Sequence, residues 1–291
     1  MSFLLVSALL ASQALPQVQE TPTPTPTPLP ASAVEVADAR FDLRAVGAIE
    51  DVADPAEVDA AIELFRNAVA ASPEDMEILG KLIRALHFRG AHTGASLEEK
   101  KRIFDEGRML GQSAVDRIEK DARKAPGMTR IEALRKINGL PLLYLWTAAH
   151  WGESALMRGK FAAAKSGIAG KVRDLAQAVV DVDPAFEDAA GYRVLGRLHS
   201  EAPKIPLVTG WVSHDKGLKL LRQAYEVNPN LPMNLFFLGE AILDHDPEKT
   251  EEARRLLEQC ATETPRPRAL VEDIYYAHLA RKRLDVVKQA N

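Results

Sequence analysis

The sequence predicts an all-α array of stacked helix pairs, and three observations carry that expectation. A small, apolar, small, proline pattern recurs at offsets of four, three and five residues: Ala61, Phe65, Ala68, Pro73; Gly217, Leu221, Ala224, Pro229; and Ala253, Leu257, Cys260, Pro265. A looser copy runs Val172, Ala176, Val179, Pro184. From Asp54 onward no alternating apolar and polar run is long enough for a strand. With 46% hydrophobic and 27% charged residues over 291 positions, the chain has enough apolar surface for a substantial core, which excludes wholesale disorder.

Offsets of four and three put the first three side chains of each copy on one helical face. Small residues there admit a neighbouring helix, and the apolar one fills the remaining space. Proline then ends the helix, because it lacks an amide donor and clashes with the turn before it. In chain order, the first predicted pair covers 55–71 and 74–89, joined at Ser72-Pro73-Glu74-Asp75, whose serine and acids suit a helix start. A loop over 90–94 leads to Ser96-Leu97-Glu98-Glu99, a capping box that opens a long helix to about residue 124. After Ala125-Pro126-Gly127 the pattern is disturbed: a helix from Thr129 runs to Gly139, another over 142–158 stops at Gly159, and 160–182 reads as one helix closed by Asp183-Pro184. Tyr192, Leu195, Gly196 and His199, then Leu235, Leu238, Gly239 and Ile242, mark the helices that pair with the last two copies.

These half-patterns and their proline-closed partners resemble the tetratricopeptide (TPR) repeat superfamily. The resemblance implies a TPR-like helical-hairpin solenoid of about four to five helix pairs that works by contact. Pro184 and Pro229 stand 45 residues apart, against about 34 in a regular repeat. The middle repeat is therefore irregular, and one long apolar loop over 201–212 takes up the excess. More specifically, Tyr144-Leu145-Trp146 ahead of Trp151, Asp183-Pro184-Ala185-Phe186 and Leu195-Gly196-Arg197-Leu198 resemble the T component of TRAP-type transporters, a periplasmic TPR family, over about residues 139–260. That resemblance implies a homo-oligomer, a periplasmic solute-binding protein as partner and an apolar ligand in a pore or groove. It carries over no binding residue by position. The lipid-anchor cysteine of some members has no counterpart, since Cys260 is the one cysteine of the chain.

Residues 3–15 form an apolar stretch ending in the small-x-small step Ser12-Gln13-Ala14, which suits an export signal over 1–14. It is shorter than the roughly 20 residues a spanning helix needs. A Thr/Pro-rich linker follows over 15–36, where the alternating threonines and prolines favour a stiff polyproline spacer. The TPR-like domain is expected over 37–291. This order points to a bacterial protein of the periplasm or cell envelope, with no integral membrane segment.

Two segments are candidates for binding. Tyr144, Trp146, His150 and Trp151 lie in one aromatic run, with Trp146 and His150 on one face and Trp151 about 140° away. Ile205, Leu207 and Trp211 lie in the long loop, which either folds back to plug the solenoid or lines a pocket. No catalytic or metal constellation stands out. His87 and His92 are five apart, which misses the spacing two helical ligands need. Lys165 and Val172 stand where a phosphate loop needs glycine and Ser or Thr. Asp244-His245-Asp246-Pro247 reads as a polar turn that caps the next helix. A net charge of −4 gives no field for nucleic acid, and Arg266, Arg268, Arg281, Lys282, Arg283 and Lys288 read as a solvated face. The expected protein is non-enzymatic, needs no cofactor and binds a protein partner; the alternative is a carrier of an apolar or amphipathic small molecule in an aromatic-lined groove.

Overall fold

Local capping sets the helix starts. In the computed structural model, which describes residues 31–289, Asp54 accepts the Ala56 amide at 2.8 Å ahead of Pro55, and Asp75 accepts the amides of Glu77 and Ile78. Ser96 with Glu99, and Thr129 with Glu132, form reciprocal capping boxes. The helices are α1 (Ala31–Asp42), α2 (Pro55–Ala71), α3 (Met76–His92), α4 (Leu97–Ala122), α5 (Arg130–Leu134), α6 (Leu140–Arg158), α7 (Lys160–Lys165), α8 (Ile168–Val182), α9 (Phe186–Glu201), α10 (His214–Val227), α11 (Pro232–His245), α12 (Thr250–Thr262) and α13 (Leu270–Gln289). Among the described residues there is no strand, only the isolated bridge Ile49–Val52.

Five features depart from the sequence expectations. The helix over 55–71 takes α1 as its partner and the one over 74–89 takes α4, so the two are not one pair, and the helix expected from Thr129 to Gly139 ends at Leu134. Helix α1 begins inside the stretch assigned to the spacer, with Ala37 and Phe41 buried against α2. The expected signal and the threonine-proline alternation lie outside the described residues. The helix expected over 160–182 is broken into α7 and α8, because Gly167 takes φ of +79°, a left-handed conformation open to glycine. Asp246 makes no side-chain cap; its carboxylate takes Lys249 at 2.8 Å instead.

Helices α1/α2, α3/α4, α6/α8, α9/α10 and α11/α12 pack as five successive pairs, and α13 covers the last. The first members touch one another along the array, α3 on α6, α6 on α9, α9 on α11 and α11 on α13. Their outer partners spread apart, and α5 fits between α4 and α8. The first members therefore form the concave inner layer, and the architecture is the expected all-α helical-hairpin solenoid. Neighbouring inner helices run parallel: Gly80 meets Leu142 near the start of α3 and α6, and His87 meets Glu153 farther along.

The pattern of small residues does what its spacing predicts. A Cβ on Gly196 would stand 2.6 Å from Leu221, and one on Gly239 would stand 2.9 Å from Leu257, so each outer leucine seats where an inner side chain is missing. All three residues of each regular copy are buried. The irregular middle uses the same device: Cβ atoms on Gly107 and Gly111 of α4 would fall 2.2 Å from His150 and 2.1 Å from Thr147 of α6. At the head of α9, Glu187, Asp188 and Ala189 take φ of 44°, 56° and 62°, a left-handed run costing about 1–2 kcal/mol per residue. The buried Arg193 guanidinium holds that turn, donating to the carbonyls of Asp188 at 3.0 Å and Glu187 at 3.2 Å and to Asn234 Oδ1 at 3.1 Å.

The array also closes on itself. Arg44, 3% exposed, donates to the carboxylate of Glu272 on α13 at 2.9 Å and to the carbonyls of Phe41 and Arg268, with its guanidinium 4.5 Å over the Phe41 ring. Val271 of α13 is buried in the cluster built from Phe41, Phe65 and Phe88.

Two predictions follow from this packing. Gly107→Ala overpacks the α4/α6 contact and lowers stability by about 2–3 kcal/mol in chemical denaturation, whereas Gly152→Ala, with no atom within 4 Å of the added methyl, raises it by about 0.5–1 kcal/mol. Arg44→Ala leaves the Glu272 carboxylate without its partner, costing about 3 kcal/mol, and a larger radius of gyration in small-angle scattering reports release of α13 from the first pair.

Candidate functional site

Side chains that are neither core nor plain surface gather on the inner layer. His87 of α3 packs on Trp146 of α6 with ring centroids 5.1 Å apart, and its Nε2 faces the Glu153 carboxylate at 3.5 Å. One turn earlier, Arg84 lies over Trp146 at 5.9 Å and reaches Glu187 of α9 at 4.0 Å. Arg197 of α9 pairs with Glu240 of α11 and lies 4.7 Å over Phe237. Tyr276 of α13 meets Phe237 edge-on at 5.5 Å, and Tyr275 meets His92 of α3 at 5.3 Å. Half-buried aromatics and ions thus run from helix to helix and return to α3.

The aromatic run predicted from sequence divides between two sides of α6. Trp146 is half-buried on the inner side, and its indole Nε1 is buried without a hydrogen-bond partner. His150 is fully buried, with Nε2 2.9 Å from the Ile83 carbonyl and Nδ1 3.2 Å from that of Phe104. Trp151 points outward: its Nε1 donates to Gln112 at 2.8 Å, and Arg108 and Lys171 lie over its ring. Tyr144 is buried in the core, and its hydroxyl donates to Glu119 at 3.2 Å; burial and that carboxylate push the phenol up. Arg130 and Arg123 pair with Glu119 and hold its carboxyl below the usual range against its own desolvation. Tyr144 and Trp151 are thereby packing residues, while Trp146 and His150 belong to the inner cluster.

The loop packs against the α8 and α9 ends and leaves its tip in solvent. Thr209 is buried and pins the loop by accepting the Ile205 amide at 2.9 Å and donating to the Pro203 carbonyl. Trp211 is half-buried, edge-on to His199 at 5.4 Å and 4.6 Å beneath Arg173. Ile205 is half-buried, and Leu207, with φ of +64°, stands fully in solvent. The loop joins the inner cluster at its first residue, where Glu201 pairs with Arg197 at 3.1 Å.

Sequence reasoning passed over Arg84, Glu153, Phe237 and Glu240 as binding residues, weighed His87 only as a metal ligand and met Arg197 only within a motif of resemblance. A signal for two of them was present: Arg197 and Glu240 each follow the glycine of a half-pattern, Gly196 and Gly239, and so occupy equivalent positions in neighbouring repeats. The described residues include one trio with metal-ligand geometry, Glu50, Asp51 and His278, whose ligand atoms lie within 4.8 Å of one another. Asp51 already faces His278 at 3.3 Å, and the trio reads as a polar contact tying the first turn to α13. The Cys260 thiol is buried, donates to the Pro232 carbonyl at 3.2 Å, and is pushed up to about 12 by burial, which makes it inert. Among the basic residues of the C-terminal region, Arg266 binds Asp273, Arg283 binds Asp244 and Arg281 caps the Ala261 carbonyl, so half of the expected solvated face is structural.

No family profile matches the chain, and no curated protein matches it. Among solved structures it is similar to the assembly chaperone of RpL4, Acl4, at 12% identity and a TM-score of 0.39, over 89% of this chain and 92% of that one. It is also similar to the TPR2AB-domain:pHSP90 complex of yeast Sti1, at 14% identity and 0.29, over 86% and 95%. Yeast Tom70 matches at 12% identity and 0.30, over 89% and 67%. At these scores the likenesses carry no argument beyond what the helix pairs themselves display.

Burial depresses two inner histidines: His150 and His92 are each pushed down to about 3, with the nearby His87 charge adding to the effect and Glu153 opposing it. Arg44 also pushes His92 down and Asp51 opposes that, while the two carbonyls facing His150 favour its protonated form. Both rings stay neutral in the folded chain over a range where the unfolded chain takes up protons. Their contribution to stability is complete above about pH 6.5 and is lost as pH falls toward 3, by up to about 1.4 kcal/mol per pH unit for each ring. Denaturation series between pH 7 and 4 should show this loss, and His150→Gln should flatten it.

Proposed function

We propose that this chain is a non-enzymatic TPR-type scaffold whose inner layer holds a segment of a partner protein. One observation carries the reading: aromatic and ionic side chains from α3, α6, α9, α11 and α13 converge on the concave side and stay half-buried, although stacking is satisfied elsewhere by small residues. Rings interspersed with Arg84, Arg197, Glu153 and Glu240 suit a polar chain with occasional apolar side chains. The finer reading is an exported accessory component of a TRAP-type solute transport system, in the periplasm or cell envelope, with a periplasmic solute-binding protein as partner. It is supported by the resemblance over residues 139–260 and by the apolar stretch at 3–15.

A second reading, a carrier of an apolar or amphipathic small molecule, is favoured by the indole Nε1 of Trp146, a buried donor that lacks an acceptor. A long-chain carboxylate that shifts tryptophan emission in the Trp151→Phe/Trp211→Phe protein, where Trp146 alone emits, supports the carrier. Unchanged emission alongside capture of a protein excludes it.

For the scaffold, Arg197→Ala and Phe237→Ala should each weaken partner capture by about tenfold or more, with helical content unchanged by circular dichroism. Met109→Ala, on the exposed side of α4, should leave capture as it is. Equal capture by all three variants rules out the inner layer as the binding face.

A further inference from the structure

Exposed apolar side chains are distributed unevenly over this solenoid. Because the inner helices run parallel, every turn from an inner to an outer helix lies along one edge, and every return turn lies along the other. The first edge exposes large apolar residues in four of its turns, whereas Val227 at the end of α10 is the nearest such residue to the second, among the described residues. On the turns of the third and fourth pairs, Leu156 is 65% exposed, Phe161 68%, Leu207 105% and Val208 43%. Arg173, near the start of α8, lies 4.6 Å over Trp211 in the loop before α10, which places these two turns side by side.

Charge singles out the same pair of turns. Between Glu153 and Asp174 the chain carries Arg158, Lys160, Lys165, Lys171 and Arg173 and no carboxylate; between Glu201 and Asp215 it carries Lys204 and no carboxylate. Lys171 and Arg173 are engaged on Trp151 and Trp211, and Arg173 also pairs with Asp174. Arg158, Lys165 and Lys204 are exposed beside the apolar tips. The first turn of the same edge is apolar too, with Ile49 79% exposed, but it is flanked by Asp42, Glu50, Asp51 and Asp54. Asp174, Glu201 and Asp215 border these turns, yet against a net charge of −4 over the whole chain the excess of cations within them is local, not a general property of the surface.

We infer that the edge formed by the α6–α8 and α9–α10 turns rests on an anionic lipid membrane surface. Leu156, Phe161, Leu207 and Val208 enter the headgroup boundary, and Arg158, Lys165 and Lys204 meet lipid phosphates. Apolar tips that would dissolve in a lipid interface, ringed by long cations whose stems can follow them inward, are the two features interfacial binding requires together. The membrane is met edge-on, so the inner layer stays open to its partner. The inference is independent of the identity of that partner, and it needs no membrane-spanning helix; none is long and apolar enough among the described residues.

Co-sedimentation of the full chain with phosphatidylcholine vesicles containing phosphatidylglycerol tests this. Wild type should bind, and binding should weaken as salt is raised. Lys165→Glu/Lys204→Glu should lower affinity by about tenfold or more, and Phe161→Ser/Leu207→Ser should lower it by a similar factor, with the thermal midpoint of each variant unchanged because all four positions are exposed. Residues 3–15 are identical in every variant, so only the difference between wild type and variants counts. Failure of the wild type to bind these vesicles, as a patch made for an acidic protein would give, or equal binding by wild type and both variants, overturns the inference.

Discussion

The structure depends on helices approaching one another where a side chain is missing. At Gly196 against Leu221, Gly239 against Leu257 and Gly107 against His150, the second helix occupies the volume a Cβ would need. The contact is close-packed on both sides, so each pair docks in one register and passes its orientation to the next. Curvature follows, because the inner helices touch while the outer ones spread.

Curvature in turn decides where the charges go. After five pairs the array has turned far enough for α13 to meet the first pair, and Arg44 fills the junction with hydrogen bonds to Glu272 and two carbonyls. Closure places His92, Tyr275, Asp51 and His278 close to one another although they come from opposite ends of the chain. The inner side chains are therefore partly desolvated without being core, a condition in which ion pairs and aromatic faces are worth more than at an open surface. Along the edge nothing in the fold covers the turns, and their apolar tips remain in solvent.

Much of the fold was legible. The bounds of α2, the capping box at Ser96 and the end of α6 at Gly159 come from local rules, since a cap or a glycine acts within one turn. The split at Gly167 was not legible, because a glycine inside an apolar run signals a break only when neighbours demand it. Helix α1 was missed because its buried face rests on two residues, Ala37 and Phe41, just behind a proline-rich stretch. Of the candidate binding residues, the outward turn of Trp151 relative to Trp146 followed from helical angle alone. Which of the two faces was inner did not, and the partners of Trp146 lie on α3, distant in sequence.

By itself the sequence determined the class of fold, the bounds of most helices and the small-residue contacts, because each is set by spacing within one helix or by a turn of a few residues; the pairing of the first helices it misassigned, since the partner of 55–71 is α1. Only the tertiary structure decided that α13 closes on the first pair, that Arg84, His87, Trp146, Arg197 and Phe237 share a concave layer, and that Leu207 stands in solvent instead of filling a groove. The physical reason is that superhelical curvature is the sum of small rotations at every helix contact, and no single stretch of residues encodes that sum.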